Sequence, residues 1–215
     1  MRSEAHACFT LVSPRSIVMG MPLTVISSWR SALALLLASC FVARSRPEIL
    51  SRVSMNIPPF ILLNPIARVE GESLSNAVIA EFCYALAPTR LVVVGQSRRK
   101  IDTPENCVDL TNRTSLLQLI RLIRIARFVV SVDSGPMHIA AAVNGRLLSI
   151  HTWTDPRRVG PYNPNAWVWK NGQLCRVDRL DTTRMRRRGR RFRPKDVPAV
   201  VELIRPLVPV DPMLT

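Results

Sequence analysis

A chain of 215 residues, 47% of them hydrophobic, is long enough to bury a core and short for an enzyme of two full domains. Its formal net charge of +15 points to an anionic partner: nucleic acid, an acidic lipid surface or a phosphorylated ligand. The cysteines Cys8, Cys40, Cys83, Cys107 and Cys175 are odd in number and have no Cys-x-x-Cys spacing, which argues against a disulfide framework or zinc site and for reduced thiols.

Residues 1–55 carry no pattern that assigns a fold and read as an N-terminal extension, poorly ordered or partly helical. Within them Ser31 to Ala43 is apolar between Arg30 and Arg44, shorter than the roughly 20 residues that a membrane-spanning helix needs, so a buried or interfacial helix is expected. Leu37-Ala38-Ser39-Cys40 has the look of a bacterial lipoprotein cleavage box, with Met21 suitably placed as a start; this exported-lipoprotein reading rests on Cys40 alone.

From Pro58 the pattern becomes that of an α/β domain. Phe60 to Asn64 is a buried-type strand stopped by Pro65, Ser73 to Leu86 a helix, Arg90 to Gly95 a strand, and Cys107 to Leu110 a short strand. Thr114 to Arg127 reads as a helix that interleaves leucine and isoleucine with Arg121, Arg124 and Arg127; these arginines wet one face or line a phosphate path. A strand over 128–132, a helix over 135–143 and a strand over 147–151 follow. Trp167-Val168-Trp169 is expected to be the last strand, closed by a turn at Lys170-Asn171-Gly172. Beyond lie the arginine run Arg184 to Arg193, read as a solvated or interaction segment, and an amphipathic helix over 196–207 with Pro198 in its first turn. The β-α-β-α alternation predicts a parallel sheet with helices on both faces and right-handed crossovers.

The strand ending in Asp133-Ser134-Gly135-Pro136 and running into Met137-His138-Ile139-Ala140 is the focus. There the carboxyl end of a parallel strand meets a helix N-terminus, whose free amides and dipole attract phosphate or carboxylate. Asp133 or Ser134 could instead cap that helix. Gly135 would let an anion approach the backbone closely, and His138 lies near enough to the same mouth to donate to it or to pack as an ordinary helical histidine. After the next strand, Asp155-Pro156-Arg157-Arg158 opens onto the same sheet edge. Either arginine could clamp a diphosphate with its planar fork or remain a solvated surface cation.

Asp133, Ser134, Gly135, His138, Ala140 to Ala142, Thr154, Asp155, Pro156, Gly160, Pro161 and Tyr162 together resemble the C-terminal half of glycosyltransferase family 9, the lipopolysaccharide heptosyltransferases. The resemblance spans roughly Ile61 to Gly172. It implies a Rossmann-like domain, the donor-binding half of a GT-B-type enzyme, over 56–180, followed by an Arg-rich segment and C-terminal helix over 181–215. It implies that Asp133, Ser134, Gly135 and His138 hold the diphosphate and sugar of a nucleotide-sugar donor such as ADP-heptose. It further implies transfer to a lipopolysaccharide-type or other glycan or lipid-linked acceptor, in the cytoplasm or peripherally at the inner membrane, with the nucleotide sugar as substrate and no cofactor. The sequence has no Asp-x-Asp, so no metal site is expected, and cationic side chains and helix dipoles are expected to neutralise the leaving diphosphate.

Two departures from the family stand out. The loop Asn64 to Gly71 lacks the family's lysine, for which Arg68 could substitute. Residues 1–55 are too short for the acceptor domain that supplies the catalytic carboxylate, so no catalytic base is assigned and the enzyme reads as truncated. The rival is a non-catalytic basic α/β module whose arginine run binds anionic lipid or nucleic acid; against nucleic acid, the run has little aromatic interleaving beyond Phe192.

Overall fold

The computed structural model of the chain describes residues 59–180 and 189–208. The expectations for residues 1–55, with the Ser31 to Ala43 stretch and Cys40, and for the Arg184 to Arg188 part of the arginine run lie outside the described residues.

Seven strands form one sheet in the order β3-β2-β1-β4-β5-β6-β7. They are β1 (Phe60–Asn64), β2 (Arg90–Val93), β3 (Cys107–Asp109), β4 (Phe128–Val132), β5 (Leu147–His151), β6 (Trp167–Lys170) and β7 (Gln173–Arg176). All neighbours are parallel except β6 and β7. The order reverses between β1 and β4, where successive crossovers depart to opposite sides and leave a crevice at the strands' carboxyl ends.

The pleat sorts the strand side chains into two cores. Ile61, Leu63, Val130 and Val132 face α1 (Asn76–Leu86) and α5 (Val197–Ile204). Phe60, Leu62 and Val129 face α2 (Leu116–Ile125) and α3 (Gly135–Val143). Both faces are therefore covered, which is why β1, β4 and β5 are buried at every position.

Local chemistry sets the helix limits. The α1 helix begins at Asn76 rather than near Ser73 because Ser75 caps it, while Ser73 Oγ accepts the Ala67 amide at 3.0 Å. In α2, Ser115 and Gln118 form a reciprocal capping box, with bonds of 3.3 and 2.8 Å. The expected 196–207 helix is regular only over Val197–Ile204, with 3₁₀ turns at Pro194–Asp196 and Arg205–Leu207; Pro206 cannot donate to the α-helical ladder.

The sheet does not end at β6. Asn171 (φ 54°) and Gly172 (φ 86°) both take left-handed backbone, the geometry of a two-residue hairpin turn, and reverse the chain into β7. A short helix, α4 (Pro156–Val159), is a second element that the sequence reading leaves as loop.

Residues 189–208 share the core of 59–180. Phe192 is buried, stacked on Phe82 at 5.9 Å and edge-on to Trp169 at 4.7 Å between ring centres. Arg190 lies 5.0 Å over the Trp169 ring and pairs its two terminal guanidinium nitrogens with Asp196 at 2.7 and 2.5 Å. This end of the arginine run is thus built into the fold, and Phe192 is a core residue and no stacking platform for bases.

Candidate functional site

The sheet's carboxyl end carries a layer of polar groups that an apolar core would exclude. Asn64 ends β1 and is 1% exposed; its Nδ2 donates to Ser131 Oγ at 3.0 Å and to Ser134 Oγ at 2.7 Å. Ser131, buried inside β4, donates to the Val132 carbonyl at 2.8 Å. These bonds join the first and fourth strands across the crevice where the sheet order reverses.

Ser134 occupies the N-cap position of α3, yet makes no capping bond: its hydroxyl turns inward, accepting from Asn64 and donating to the Val132 carbonyl at 3.1 Å. Among the described residues neither the Ser134 side chain nor that of Asp133 makes a capping bond to this helix, so the capping alternative is not what the structure shows. Gly135 is exposed, and a Cβ added to it would meet no atom within 4 Å beyond its chain neighbours and the backbone of its own helix. Neither packing nor a left-handed backbone requires a glycine there, and its face is open.

Asp133 projects at the same mouth with its side chain 20% exposed, 4.0 Å from His151 Nδ1. His138, in the first turns of α3, is half-buried, and its Nδ1 is buried without a hydrogen-bond partner. Burial lowers its pKa, and the nearby Asp133 carboxylate opposes the shift. Its imidazole is therefore mainly neutral at pH 7 and presents one donor and one acceptor.

Behind this front lies a second group of residues. His151 ends β5 fully buried, with Nδ1 2.9 Å from Thr154 Oγ1 and Nε2 3.1 Å from Ser149 Oγ. Burial drives its pKa down to about 4, so the ring is neutral and acts as a hydrogen-bonded spacer. Lys170 ends β6, also buried, and donates to the Thr154 carbonyl at 3.0 Å.

The remaining predicted residues are placed differently from one another. Arg157 folds back on Asp155, with Nη2 2.6 Å from Oδ2 and Nε 3.0 Å from Oδ1, and these bonds hold the Asp155 carboxyl below its usual pKa. Two of its nitrogens therefore serve the 155–157 turn. Arg158 is exposed on the same short helix. Arg68 is exposed in the loop after β1, close enough to Glu72 to act on its charge. Glu72, whose pKa is raised first by burial and next by Asp133, belongs to the same charged rim. Gly160 shapes the loop, because a Cβ there would overlap the Pro156 carbonyl. Tyr162 is half-buried against the α2–α3 core with its hydroxyl pKa pushed up to about 12.

The structure thus gathers Asp133, Ser134, Gly135 and His138 at one mouth, with Arg68 on the β1 loop and Arg157 and Arg158 after β5. Asn64, Ser131, His151 and Lys170 are missed by the sequence reading. Their one signal is position: a polar residue within or ending a strand otherwise made of apolar residues. An apolar depression of about 570 Å³ between α1 and α5, lined by Ala85, Pro198, Val201, Glu202, Arg205 and Pro206, lies toward the other end of the sheet. Among the described residues no group of three or more His, Cys, Asp or Glu side chains is placed to hold a metal ion, and no helix is long and apolar enough to cross a membrane.

Comparison with known proteins bears on this sheet end. Residues 90–187 match the model of glycosyltransferase family 9 (heptosyltransferase). The chain is 38% identical to lipooligosaccharide heptosyltransferase 2 of Haemophilus influenzae over 36% of its own length and 23% of that protein. It is 30% identical to the lipopolysaccharide core heptosyltransferase OpsX of the same organism over 59% of its length and 36% of that protein. Among solved structures, Escherichia coli ADP-heptose heptosyltransferase II superposes with a TM-score of 0.54 at 23% identity, covering 69% of this chain and 46% of the other. E. coli heptosyltransferase WaaC with ADP superposes at 0.52 and 18% identity, covering 73% and 48%. These superpositions establish the fold as that of one half of a GT-B heptosyltransferase, and the chain spans less than half of each of the four proteins. Sheet order and the Asp133 to His138 motif agree with the family match, and over residues 90–187 the chain is similar to glycosyltransferase family 9 (heptosyltransferase).

Proposed function

We propose that the chain binds the diphosphate of a nucleotide sugar at the start of α3 and is the donor-binding part of a heptosyltransferase-like glycosyltransferase. The observation that carries this reading is the inward turn of Ser134, which leaves the first turn of α3 without a side-chain cap beside the open face of Gly135. In an uncapped helix the first amides and the helix dipole favour an anion. His138 adds a nearby ring nitrogen, and Arg158 and Arg68 add exposed positive charge at the rim.

The donor we infer is an ADP-heptose-like nucleotide sugar, since the solved relatives include one with ADP and one with ADP-2-deoxy-2-fluoro heptose. Transfer goes to a lipopolysaccharide-type or other glycan acceptor in the cytoplasm, where nucleotide sugars are found, with contact to an anionic inner-membrane surface favoured by the charge of +15. Helix dipole and cationic side chains stabilise the departing diphosphate, with no cofactor assigned. The base that activates the acceptor hydroxyl is not assigned to this chain.

Calorimetric titration with ADP-heptose, ADP and a panel of UDP- and GDP-sugars tests the reading on the wild type, Asp133→Ala and His138→Ala. The expected result is saturable binding of adenosine diphosphate compounds, weakened on the order of ten-fold by His138→Ala, and weakened by Asp133→Ala for ADP-heptose, whose sugar hydroxyls the carboxylate accepts from. Folded wild-type protein that takes up none of the panel while still binding heparin or anionic vesicles would hand the lead to the basic-module reading.

A further inference from the structure

Lys170 is 1% exposed, and it is the one buried lysine among the described residues. Two pieces of chain besides its own strand close around its ammonium, the loop after β5 and the segment at Gly189. Nζ donates to the Thr154 carbonyl at 3.0 Å. The Thr154 hydroxyl lies 2.9 Å from His151 Nδ1, which lies 4.0 Å from Asp133 Oδ2. On another side sits Gly189, tied by its amide to the Thr152 carbonyl at 2.9 Å; a Cβ on Gly189 would stand 2.9 Å from Lys170 Nζ. The carboxylates of Asp155, Glu72 and Asp133 all act on this ammonium.

An ammonium inside a protein is costly unless charge and hydrogen bonds compensate it, and a strand end packed beside Trp169 would accept an apolar side chain more readily. The charge has a use at this place. The mouth of the site holds three carboxylates, and a diphosphate would add more negative charge beside them. Exposed arginines at the rim are screened by water and salt, whereas a buried cation acts through a lower effective dielectric. Lys170 also enters from β6, across the sheet end from the β1 loop in which the family's lysine is missing.

We propose that Lys170 is a positioning residue of the donor site: its buried ammonium fixes the loop after β5 and offsets the Asp133, Asp155 and Glu72 carboxylates, so that a diphosphate can bind at the start of α3. The inference rests on the donor reading above. It assigns Lys170 to the phosphates and not to the nucleoside.

The test compares ADP with adenosine on the wild-type chain, Lys170→Gln and Lys170→Met. Glutamine keeps a donor for the Thr154 carbonyl and removes the charge; methionine removes both. The ADP dissociation constant is expected to rise about ten-fold or more in both variants, with that of adenosine within two-fold of wild type. Unchanged ADP affinity overturns the proposal, and equal loss of ADP and adenosine reduces Lys170 to a purely structural role. A folded wild-type chain that binds no nucleotide diphosphate removes the donor reading and this inference together, a pattern distinct from intact wild-type binding that Lys170→Gln leaves untouched.

Should neither variant fold, the wild type carries the test between pH 8 and 11. Burial depresses the lysine pKa, opposed by Asp155, Glu72 and Asp133, while His151 and His138 face the same space as neutral rings in this range. Lys170 loses its charge as the pH rises, so affinity for ADP falls and affinity for adenosine holds. An ADP profile that stays flat to pH 11 overturns the proposal.

Discussion

Two residues at the sheet end separate binding from folding. Gly135 occupies the first position of α3 with ordinary backbone and open space around it, so alanine is tolerated and trims the unfolded chain's entropy. Gly135→Ala is expected to leave stability unchanged or raise it by up to about 1 kcal/mol. A methyl group at the approach to the amides is expected to weaken ADP binding about ten-fold, and melting and calorimetry on one preparation read both effects. Unchanged affinity would mean that no ligand comes near Gly135. His151 supplies the pH signature. Its folded pKa of about 4 lies below the ordinary value of 6.5, so between those values the unfolded chain binds the extra proton and stability falls as the solution is acidified. The His151 contribution is at most about 3 kcal/mol, fully present above pH 6.5 and lost on the way down to pH 4. Urea unfolding across this range should show the decline in the wild type and a shallower one in His151→Asn. Parallel curves would show that His151 does not stay neutral inside the fold.

Among the elements, the strands were the most legible, because a parallel sheet covered on both faces leaves its mark as short β-branched runs such as Phe128-Val129-Val130 and Leu91-Val92-Val93. The motif at the end of β4 was legible for the same reason: where the apolar run stops at Asp133, the strand stops. What the sequence hid was pairing at a distance. Asn64 and Ser134 stand far apart in the chain and meet only because β1 and β4 are neighbours in the sheet. Lys170 looked like the first residue of a turn, since nothing local shows that Gly189 and Thr154 will enclose it. The Asn171-Gly172 pair carried the hairpin signal, but Gln173-Leu174-Cys175-Arg176 is short and half-buried and lacks a strong strand pattern of its own. The docking of α5 through Phe192 was hidden by the arginines on either side of that ring. Phe192→Ala is expected to cost about 3–5 kcal/mol by removing a ring packed between Phe82 and Trp169, measured as a drop in the denaturant midpoint. It is expected to leave heparin retention unchanged. A surface role in binding polyanions would produce the reverse pattern.

For the molecule as a whole, charge and site make separable demands. A chain of net charge +15 attracts any polyanion, and that attraction is distributed over 30 Lys and Arg residues. Polyanion binding of this kind releases counterions at many contacts, so it falls steeply with salt and is insensitive to any one side chain. A diphosphate held at one helix start engages few charges, and part of the compensation comes from within the protein, where salt screens poorly. Between about 50 and 500 mM salt, heparin retention should therefore be lost while ADP affinity falls by no more than about ten-fold. His138→Ala should shift the ADP curve, Asp133→Ala the ADP-heptose curve, and both should leave the heparin curve in place. If instead nucleotide affinity follows the heparin slope and ignores both substitutions, the anion is held by the general field of the molecule. The uncapped start of α3 would then be only a feature of the fold that this half-length chain shares with its heptosyltransferase relatives.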